Sequence, residues 1–392
     1  MTENIKVKNI EQKKAKEKLK ESIIKNSMTF ISSPILNGLN KLQNLNFMNP
    51  IIQCLSHTKM MTEYFLNQNN KKFIINKYNN SDEPKLSPIY QELIQKLWTY
   101  NEKNVCSSFN LKNTIENINP LLKNGQTNAK DLTIFILEQL HNELKKDLKI
   151  NDINNSNINL NNNIVNYYDK NNVLNNFFEE FKKQCSIISD IFCGFKEITN
   201  ICLNCLKNDY GNNSKTYNYD IFKYIIFPLD EIKKYLLDNN EINQNNNSIS
   251  INNCFQYNQR EVMLNRKDNL PCNKCNQICN YISISRIFSS PNVLILLIER
   301  GKNNNINLEI SENIDITEFV IKKDKENILY ELYGAITVLN LNNPDSDYIS
   351  SIKNSIDNKW YRYNNEIITE IFDVKNEVLE YKFPYILFYK KK

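Results

Sequence analysis

Two C-x-x-C pairs constrain the fold of this chain more than any other feature. The first pair is Cys202 and Cys205, the second is Cys272 and Cys275, and 66 residues lie between the pairs. Four thiolates can converge on one zinc ion at about 2.3 Å, and a site closed by four thiolates is structural rather than catalytic. Because strand-like sequence flanks both pairs, we predict two β-hairpin tips that share a structural zinc ion. Cys279 is a bystander or a substitute ligand.

Charge and hydropathy exclude several classes of protein. The 49 basic and 44 acidic residues give a net charge of +5, which argues against a dedicated nucleic-acid binder. The longest aliphatic run, Val293 to Ile298, is far shorter than the roughly 20 residues of a membrane span. The N-terminus has no apolar signal region, and ten cysteines in such a chain favour reduced thiols or metal ligands. We therefore predict an intracellular protein, cytoplasmic or nuclear, with no membrane contact.

Histidine is scarce, which limits the chemistry available to the chain. His57 and His141 are the only two histidines. A hydrolase with an imidazole base, or a metal site with several histidines, would have to use these two residues. The composition thus argues against catalysis by histidine.

The hydrophobic pattern changes from helical spacing to strand-like runs along the chain. The clearest predicted helix covers 129–148, where Leu132, Ile136 and Leu140 lie on one face. Asn-rich tracts near 67–80, 151–176 and 239–253 are interpreted as loop insertions. Helices followed by antiparallel-type strands indicate an α+β fold. The predicted strands are 219–230, 279–288, 292–300, 331–341, 359–371 and 384–392.

The segment GLNKLQNLNFMNPIIQCLSHTKMMTEYFL, residues 38–66, resembles the opening box of the ubiquitin-specific proteases. That box reads G-L-x-N-L-G-N-T-C-[FY]-M-N-x-x-x-Q-C-L and aligns without a gap. Similar boxes follow in order, including GQTNAKDLTIFILEQLHNEL, SSPNVLILLIER, ELYGAITVL and KWYRYNNEII. The resemblance spans about residues 35–392. It implies a papain-like fold with a helical thumb, a β-rich palm and zinc-ribbon fingers.

The resemblance also implies a division of the chain. Residues 1–34 would form a basic N-terminal extension, and 35–392 the protease-like domain. Within that domain we predict the thumb at about 35–180, the fingers at about 186–285 and the palm at about 286–392.

The same alignment removes the family's catalytic chemistry. The nucleophilic cysteine corresponds to Asn46, and an amide cannot form the thiolate that attacks the isopeptide carbonyl. The general base corresponds to Asp347, and the third triad member to Asn364. The residue that helps stabilise the oxyanion corresponds to Lys41. The resemblance therefore implies a pseudo-deubiquitinase, a ubiquitin-binding or scaffold subunit that does not catalyse hydrolysis.

Two alternatives remain open from the sequence alone. The first is an active deubiquitinase with an unorthodox nucleophile, for which Cys54 and His57 would lie on one helix. The second is an interaction or nucleic-acid module that uses the zinc fingers.

Ubiquitin recognition is the remaining expectation. The acidic residues that hold the ubiquitin tail in the family correspond to Asn128 and Asp131, so one charge is lost. The expected partners are ubiquitin or a ubiquitinated protein, within a protein complex.

Overall fold

The computed structural model describes residues 35–392 except for 44, 79–82, 99–104, 125–126, 146–165, 209–213, 244–246, 265–271, 273, 302–305, 323–326, 340–346 and 381–382. The predicted N-terminal extension, 1–34, and most of the Asn-rich tract 151–176 lie outside the described residues. Within the described ranges, no helix combines the length and the apolar character needed to cross a bilayer.

Most helices precede the strands and bury one apolar face. The predicted helix at 129–148 is confirmed over Ala129–Leu144, where Leu132, Ile136 and Leu140 are fully buried. The helices are α1 (Met48–Ser56), α2 (Lys59–Leu66), α3 (Gln68–Tyr78), α4 (Leu86–Leu97), α5 (Phe109–Ile118), α6 (Ala129–Leu144), α7 (Lys170–Lys182), α8 (Ile187–Phe192), α9 (Leu203–Lys207), α10 (Leu229–Asp238) and α11 (Ile251–Asn258).

The strands follow largely in the second half of the chain. They are β1 (Gly38–Leu39), β2 (Val105–Cys106), β3 (Gly194–Cys202), β4 (Lys215–Phe222), β5 (Ile225–Pro228), β6 (Ser248–Ser250), β7 (Glu261–Leu264), β8 (Tyr281–Ser289), β9 (Val293–Glu299), β10 (Asn307–Glu309), β11 (Asn313–Asp315), β12 (Leu329–Val338), β13 (Tyr348–Lys353), β14 (Trp360–Asn364), β15 (Ile367–Ile371) and β16 (Pro384–Lys391).

One large sheet carries the core of the described chain. Its order is β15-β14-β13-β12-β16-β9-β5, with β11 paired to β12, and all pairs are antiparallel except β5 with β9. Successive residues of β9 enter opposite cores: Val293, Ile295 and Leu297 face the helices α1–α6, and Leu294 and Leu296 face α10 and α11. Because successive side chains of a strand point to opposite faces, a strand buried on both sides reads as a continuous apolar run. The α+β prediction is confirmed.

A separate four-stranded sheet, in the order β4-β3-β8-β7, carries the cysteine pairs at one end. Helix α7 packs on it through edge-to-face aromatic contacts, with the Phe181 and Phe195 ring centroids 4.8 Å apart. Lys170 Nζ on this helix lies 2.8 Å from Oε2 of Glu197, a buried carboxylate on β3. These contacts orient the sheet that holds the thiols.

The Asn-rich tracts are more regular than predicted. The tract 67–80 is not a loop over Gln68–Tyr78, because α3 forms there and buries Ile74. The described end of 151–176 contains the start of α7, and 239–253 contains β6 and the first turn of α11. The interpretation of these tracts as loops throughout is therefore wrong.

Two predicted strands also require correction. The strand predicted at 219–230 divides after Phe222, and Ile225–Pro228 joins the large sheet instead of the four-stranded one. The strand predicted at 359–371 is a hairpin of β14 and β15, in which Asn364 pairs with Ile367.

Candidate functional site

Three chain segments meet beside the N-terminal end of α1, at a place that we call the α1 junction. The junction comprises Gly38–Asn49, Asp347–Tyr348 and Asn364–Glu366. The Leu39 N–H donates to the Asn365 carbonyl at 3.0 Å, and the Phe47 ring contacts the Tyr348 ring edge-to-face with centroids 5.7 Å apart. Segments that are more than 300 residues apart in sequence are therefore fixed against each other.

Asn49 is the centre of this arrangement. Its amide Nδ2 donates to the Asn40 carbonyl and to Asn365 Oδ1, both at 2.8 Å, and its Oδ1 accepts from the Ser108 hydroxyl at 2.8 Å. The side chain is buried, so each of these bonds replaces one that water would make. Asn365 adopts a φ of 53°, which asparagine tolerates better than most residues.

Gly38 allows the backbones of β1 and the β14–β15 turn to approach closely. A Cβ atom at this position would lie 2.8 Å from the carbonyl oxygens of both Asn365 and Glu366. Such contacts are too short for any side chain, so a glycine is required here.

Lys41 and Asp347 form an ion pair within the junction. Lys41 Nζ lies 2.8 Å from Asp347 Oδ2, and the Lys41 backbone N–H donates to Glu366 Oε1 at 2.6 Å. The Lys41 side chain is 58% exposed and that of Asp347 is 26% exposed. A pair this accessible contributes about 0–1 kcal/mol to stability, so the fold does not depend on it.

The other two positions aligned with catalytic residues lie in the same junction. Asn46 is half-buried two residues before α1 begins, and Asn364 ends β14 with its Oδ1 3.3 Å from Asn365 Nδ2. Sequence patterns did not predict the hydrogen bond between Asn49 and Asn365. The doublet Asn364-Asn365 was its only signal, since asparagine favours the positive φ of a tight turn.

Cys54 and His57 do not form a nucleophile–base pair. Burial raises the pKa of the Cys54 thiol well above its usual value. Burial also lowers the pKa of His57 to about 4, despite the hydrogen bond to the Gln53 carbonyl. His57 Nδ1 must donate to that carbonyl at 2.8 Å, so Nε2 accepts from the Tyr363 hydroxyl at 3.1 Å. Both ring nitrogens are thus engaged by groups other than the Cys54 thiol.

Asn128 and Asp131 lie together at the N-terminal end of α6. Asn128 is the N-cap residue: its Oδ1 accepts from the Asp131 N–H at 2.9 Å, and its Nδ2 donates to Asp131 Oδ2 at 2.7 Å. Both residues are exposed. A carboxylate in the first turn is favourable to the helix dipole, so these residues also stabilise α6.

The four predicted metal ligands come together at the end of the four-stranded sheet. The sulfur atoms of Cys202, Cys205, Cys272 and Cys275 all lie within 4.8 Å of one another. Two of the separations, Cys202 to Cys275 and Cys205 to Cys272, are 3.9 and 3.7 Å. A tetrahedron with metal–sulfur bonds of about 2.3 Å has edges of about 3.8 Å, so the thiols fit a zinc ion.

Backbone groups favour the thiolate at one of the four cysteines, Cys272, whereas burial raises the pKa of Cys202 and of Cys205. Burial acts to raise the pKa of Cys272, but hydrogen bonds from the backbone of Cys275 and Lys274 lower it to about 6. The thiolate is the form that binds metal. Asn276 has a φ of 52°, and its N–H donates to the Cys272 carbonyl at 2.8 Å, which closes the turn around the second pair.

Comparison with known proteins identifies a family. Residues 37–389 match the family described as ubiquitin carboxyl-terminal hydrolase. Ubiquitin carboxyl-terminal hydrolase Usp2 of Drosophila melanogaster is 23% identical over 369 residues, which cover 91% of this chain and 35% of the relative. Ubiquitin carboxyl-terminal hydrolase 15 of Homo sapiens is 29% identical over 216 residues, 52% of this chain and 20% of the relative. This chain thus spans about a third or less of these relatives.

Solved structures share the fold. The SAGA Ubp8/Sgf11/Sus1/Sgf73 DUB module bound to ubiquitin aldehyde matches with a TM-score of 0.63 at 20% identity, over 93% of this chain and 71% of that one. The Ubp8-Sgf11-Sgf73-Sus1 SAGA DUB module matches with a TM-score of 0.58 at 19% identity, again over 93% and 71%.

Proposed function

The chain belongs to the ubiquitin carboxyl-terminal hydrolase family, and from this premise we propose that it is a catalytically inactive member that binds ubiquitin without hydrolysing its conjugates. The family and the fold predicted from the sequence are confirmed. Inactivity and ubiquitin binding remain the proposal. In this view the chain acts as a ubiquitin-binding or scaffold subunit of a protein complex.

The observation that carries the proposal is the ion pair between Lys41 and Asp347. In the family alignment these residues stand at the oxyanion-donor and general-base positions. The family has an amide donor at the first position and an imidazole at the second. Here an ammonium and a carboxylate at 2.8 Å satisfy each other instead.

The nucleophile position supports the same conclusion. Asn46 carries an amide, which has no proton to lose at physiological pH and no lone pair of sufficient nucleophilicity. Neither histidine offers a substitute base, because His57 is engaged by Gln53 and Tyr363, and His141 Nδ1 lies 2.7 Å from the Ser186 hydroxyl.

Ubiquitin binding is supported by parts of the chain outside the α1 junction. The thiol cluster has the geometry of a structural zinc site, which would hold the four-stranded sheet in place. The solved neighbour of similar fold is bound to ubiquitin aldehyde. Asp131 keeps an exposed carboxylate where the family binds the basic ubiquitin tail.

A paired measurement tests the proposal. Ubiquitin is titrated against the zinc-loaded chain by calorimetry, and the same preparation is assayed for hydrolysis of a ubiquitin C-terminal fluorogenic substrate. We expect saturable binding and no turnover above the blank. Asp131→Asn should weaken binding about 5- to 150-fold, the loss of one close charge pair worth about 1–3 kcal/mol. The matched control is Glu92→Gln on the exposed face of α4, which should leave binding unchanged.

Two results would contradict the proposal. Turnover that disappears in Cys54→Ala would establish an active enzyme with an unorthodox nucleophile. Absence of ubiquitin binding by the folded, zinc-loaded chain would leave a scaffold that does not recognise ubiquitin.

A further inference from the structure

A fifth thiol lies against the cysteine cluster. Cys279 Sγ is 3.1 Å from Cys202 Sγ, closer than Cys275 is to Cys202 or Cys272 to Cys205. Cys279 is buried and packs in the same cluster as the four predicted ligands. All ten cysteines of the chain are among the described residues, and the other five lie outside this cluster.

The backbone fixes this proximity. Cys202 is the last residue of β3 and pairs with Tyr281, the first pairing residue of β8. Cys279 precedes Tyr281 by two residues, and the Leu203 N–H donates to the Asn280 carbonyl at 3.1 Å. The two sulfur atoms therefore approach each other because Cys202 ends β3 and Cys279 lies two residues before its pairing partner on β8.

The distance between the Cys202 and Cys279 sulfur atoms matches neither a disulfide bond nor two ligands of one tetrahedral metal ion. A disulfide bond is about 2.05 Å long, and two thiolates on one zinc ion lie about 3.8 Å apart. Rotation of a cysteine side chain from one χ1 rotamer to another moves its sulfur atom by roughly 3 Å. This displacement is about equal to the separation of the Cys279 and Cys202 sulfur atoms. The two thiols are thus placed to compete for one vertex of the tetrahedron.

We propose that Cys279 is a spare ligand of the zinc centre, able to occupy the vertex of Cys202. The proposal rests on the structural zinc of the proposed function. Four thiolates coordinate at any time, and the fifth cysteine lies beside the centre without a bond to the metal. Cys202 is then replaceable, whereas Cys205 has no such substitute among the cysteines of the chain.

Single and double variants of the full chain test this inference. Zinc affinity is measured by chelator competition, and the number of thiolates on the metal by the charge-transfer absorption of the Co²⁺-substituted protein. Cys202→Ser should keep zinc within about tenfold of the wild-type affinity and retain four thiolates on cobalt. Cys202→Ser/Cys279→Ser should bind zinc on the order of a hundredfold more weakly, because one of four thiolates is missing. Cys205→Ser, the matched control, should lose a similar factor while Cys279 is still present.

The outcomes separate this inference from the zinc assignment itself. Wild-type protein without zinc would overturn both. Zinc in the wild type, with Cys202→Ser as impaired as Cys205→Ser, would overturn only the spare ligand. The spare ligand is also excluded if Cys202→Ser retains zinc but shows three thiolates on cobalt, since water or serine would then fill the vertex. The comparison of Cys202→Ser with its Cys279→Ser double variant does not depend on whether the Cys205 variant folds.

Discussion

Restoring the family's residues at the α1 junction should convert this chain into a hydrolase. The changes are Asn46→Cys for the nucleophile, Asp347→His for the base and Lys41→Asn for the oxyanion donor. These positions lie in a junction in which Asn49 links Asn40 to Asn365 and Gly38 permits the close approach of β1. Under the proposed function, the substitutions alter the chemistry of the junction and leave its backbone arrangement in place.

The structure sets the size of each effect. Breaking the exposed Lys41–Asp347 pair costs at most about 1 kcal/mol, so the variants should remain folded. Asn46→Cys and Asp347→His together supply a thiolate and an imidazole, and we expect weak but measurable turnover. The loss of one oxyanion donor raises the activation free energy of hydrolysis by about 2.7–4 kcal/mol. Adding Lys41→Asn should therefore raise kcat by about 10²- to 10³-fold over the double variant.

The assay is hydrolysis of a ubiquitin C-terminal fluorogenic substrate, with a covalent ubiquitin probe to report the thiolate. The matched control carries Asn46→Ala in place of Asn46→Cys and should show neither turnover nor labelling. The reasoning fails if the triple variant is folded, holds zinc and binds ubiquitin, yet neither turns over nor reacts with the probe. Asn46 and Asp347 would then not occupy the nucleophile and base positions.

Other predictions concern stability. Asn49→Ala should destabilise the fold by about 2–3 kcal/mol in urea unfolding, because it leaves buried partners unsatisfied; a loss below about 0.5 kcal/mol would contradict the central role of this amide. Chelation of zinc should unfold the four-stranded sheet while leaving the large sheet intact, which hydrogen exchange would resolve; equal protection of both sheets would count against a structural metal. Burial lowers the pKa of both His57 and His141 to about 4. For His141, the positive charges of Lys223 and Lys145 also contribute to the lower pKa. The unfolded state takes up these protons near pH 6.5, so stability should be unaffected above that value and fall progressively towards pH 4. His141→Gln should reduce this acid sensitivity, and an unchanged pH profile would disprove the assignment.

Local patterns were sufficient to predict much of this protein. The continuous apolar run of β9 and the four-residue spacing in α6 each reflect a face that must be buried, so those elements agree with their predicted ranges. The two C-x-x-C pairs predicted a thiol cluster because the chemistry of zinc requires convergence. The helix α3 was missed since burial of Ile74 outweighs the turn preference of its asparagines.

Non-local contacts set the limit of prediction from the sequence. The boundary between β4 and β5 was invisible because both segments are β-branched and aromatic, and only their pairing partners differ. The hydrogen bond of Asn49 with Asn365 joins positions 316 residues apart, and neither residue has a pattern that reveals it. The sequence leaves Cys279 as either a bystander or a substitute ligand, and its proximity to Cys202 emerges only from the pairing of β3 with β8.

If the chain is inactive as proposed, the α1 junction explains how catalysis is lost while the fold is kept. Lys41 and Asp347, at the positions aligned with the oxyanion donor and the general base, are exposed enough that their pairing contributes about 0–1 kcal/mol. The groups that hold the junction together, Gly38 and Asn49, make close or buried contacts whose loss is strongly destabilising. Under the proposed function, substitution at the first set abolishes hydrolysis with little effect on folding, whereas substitution at the second set destabilises the domain. Retention of the second set with replacement of the first is what the proposed binding or scaffold role predicts.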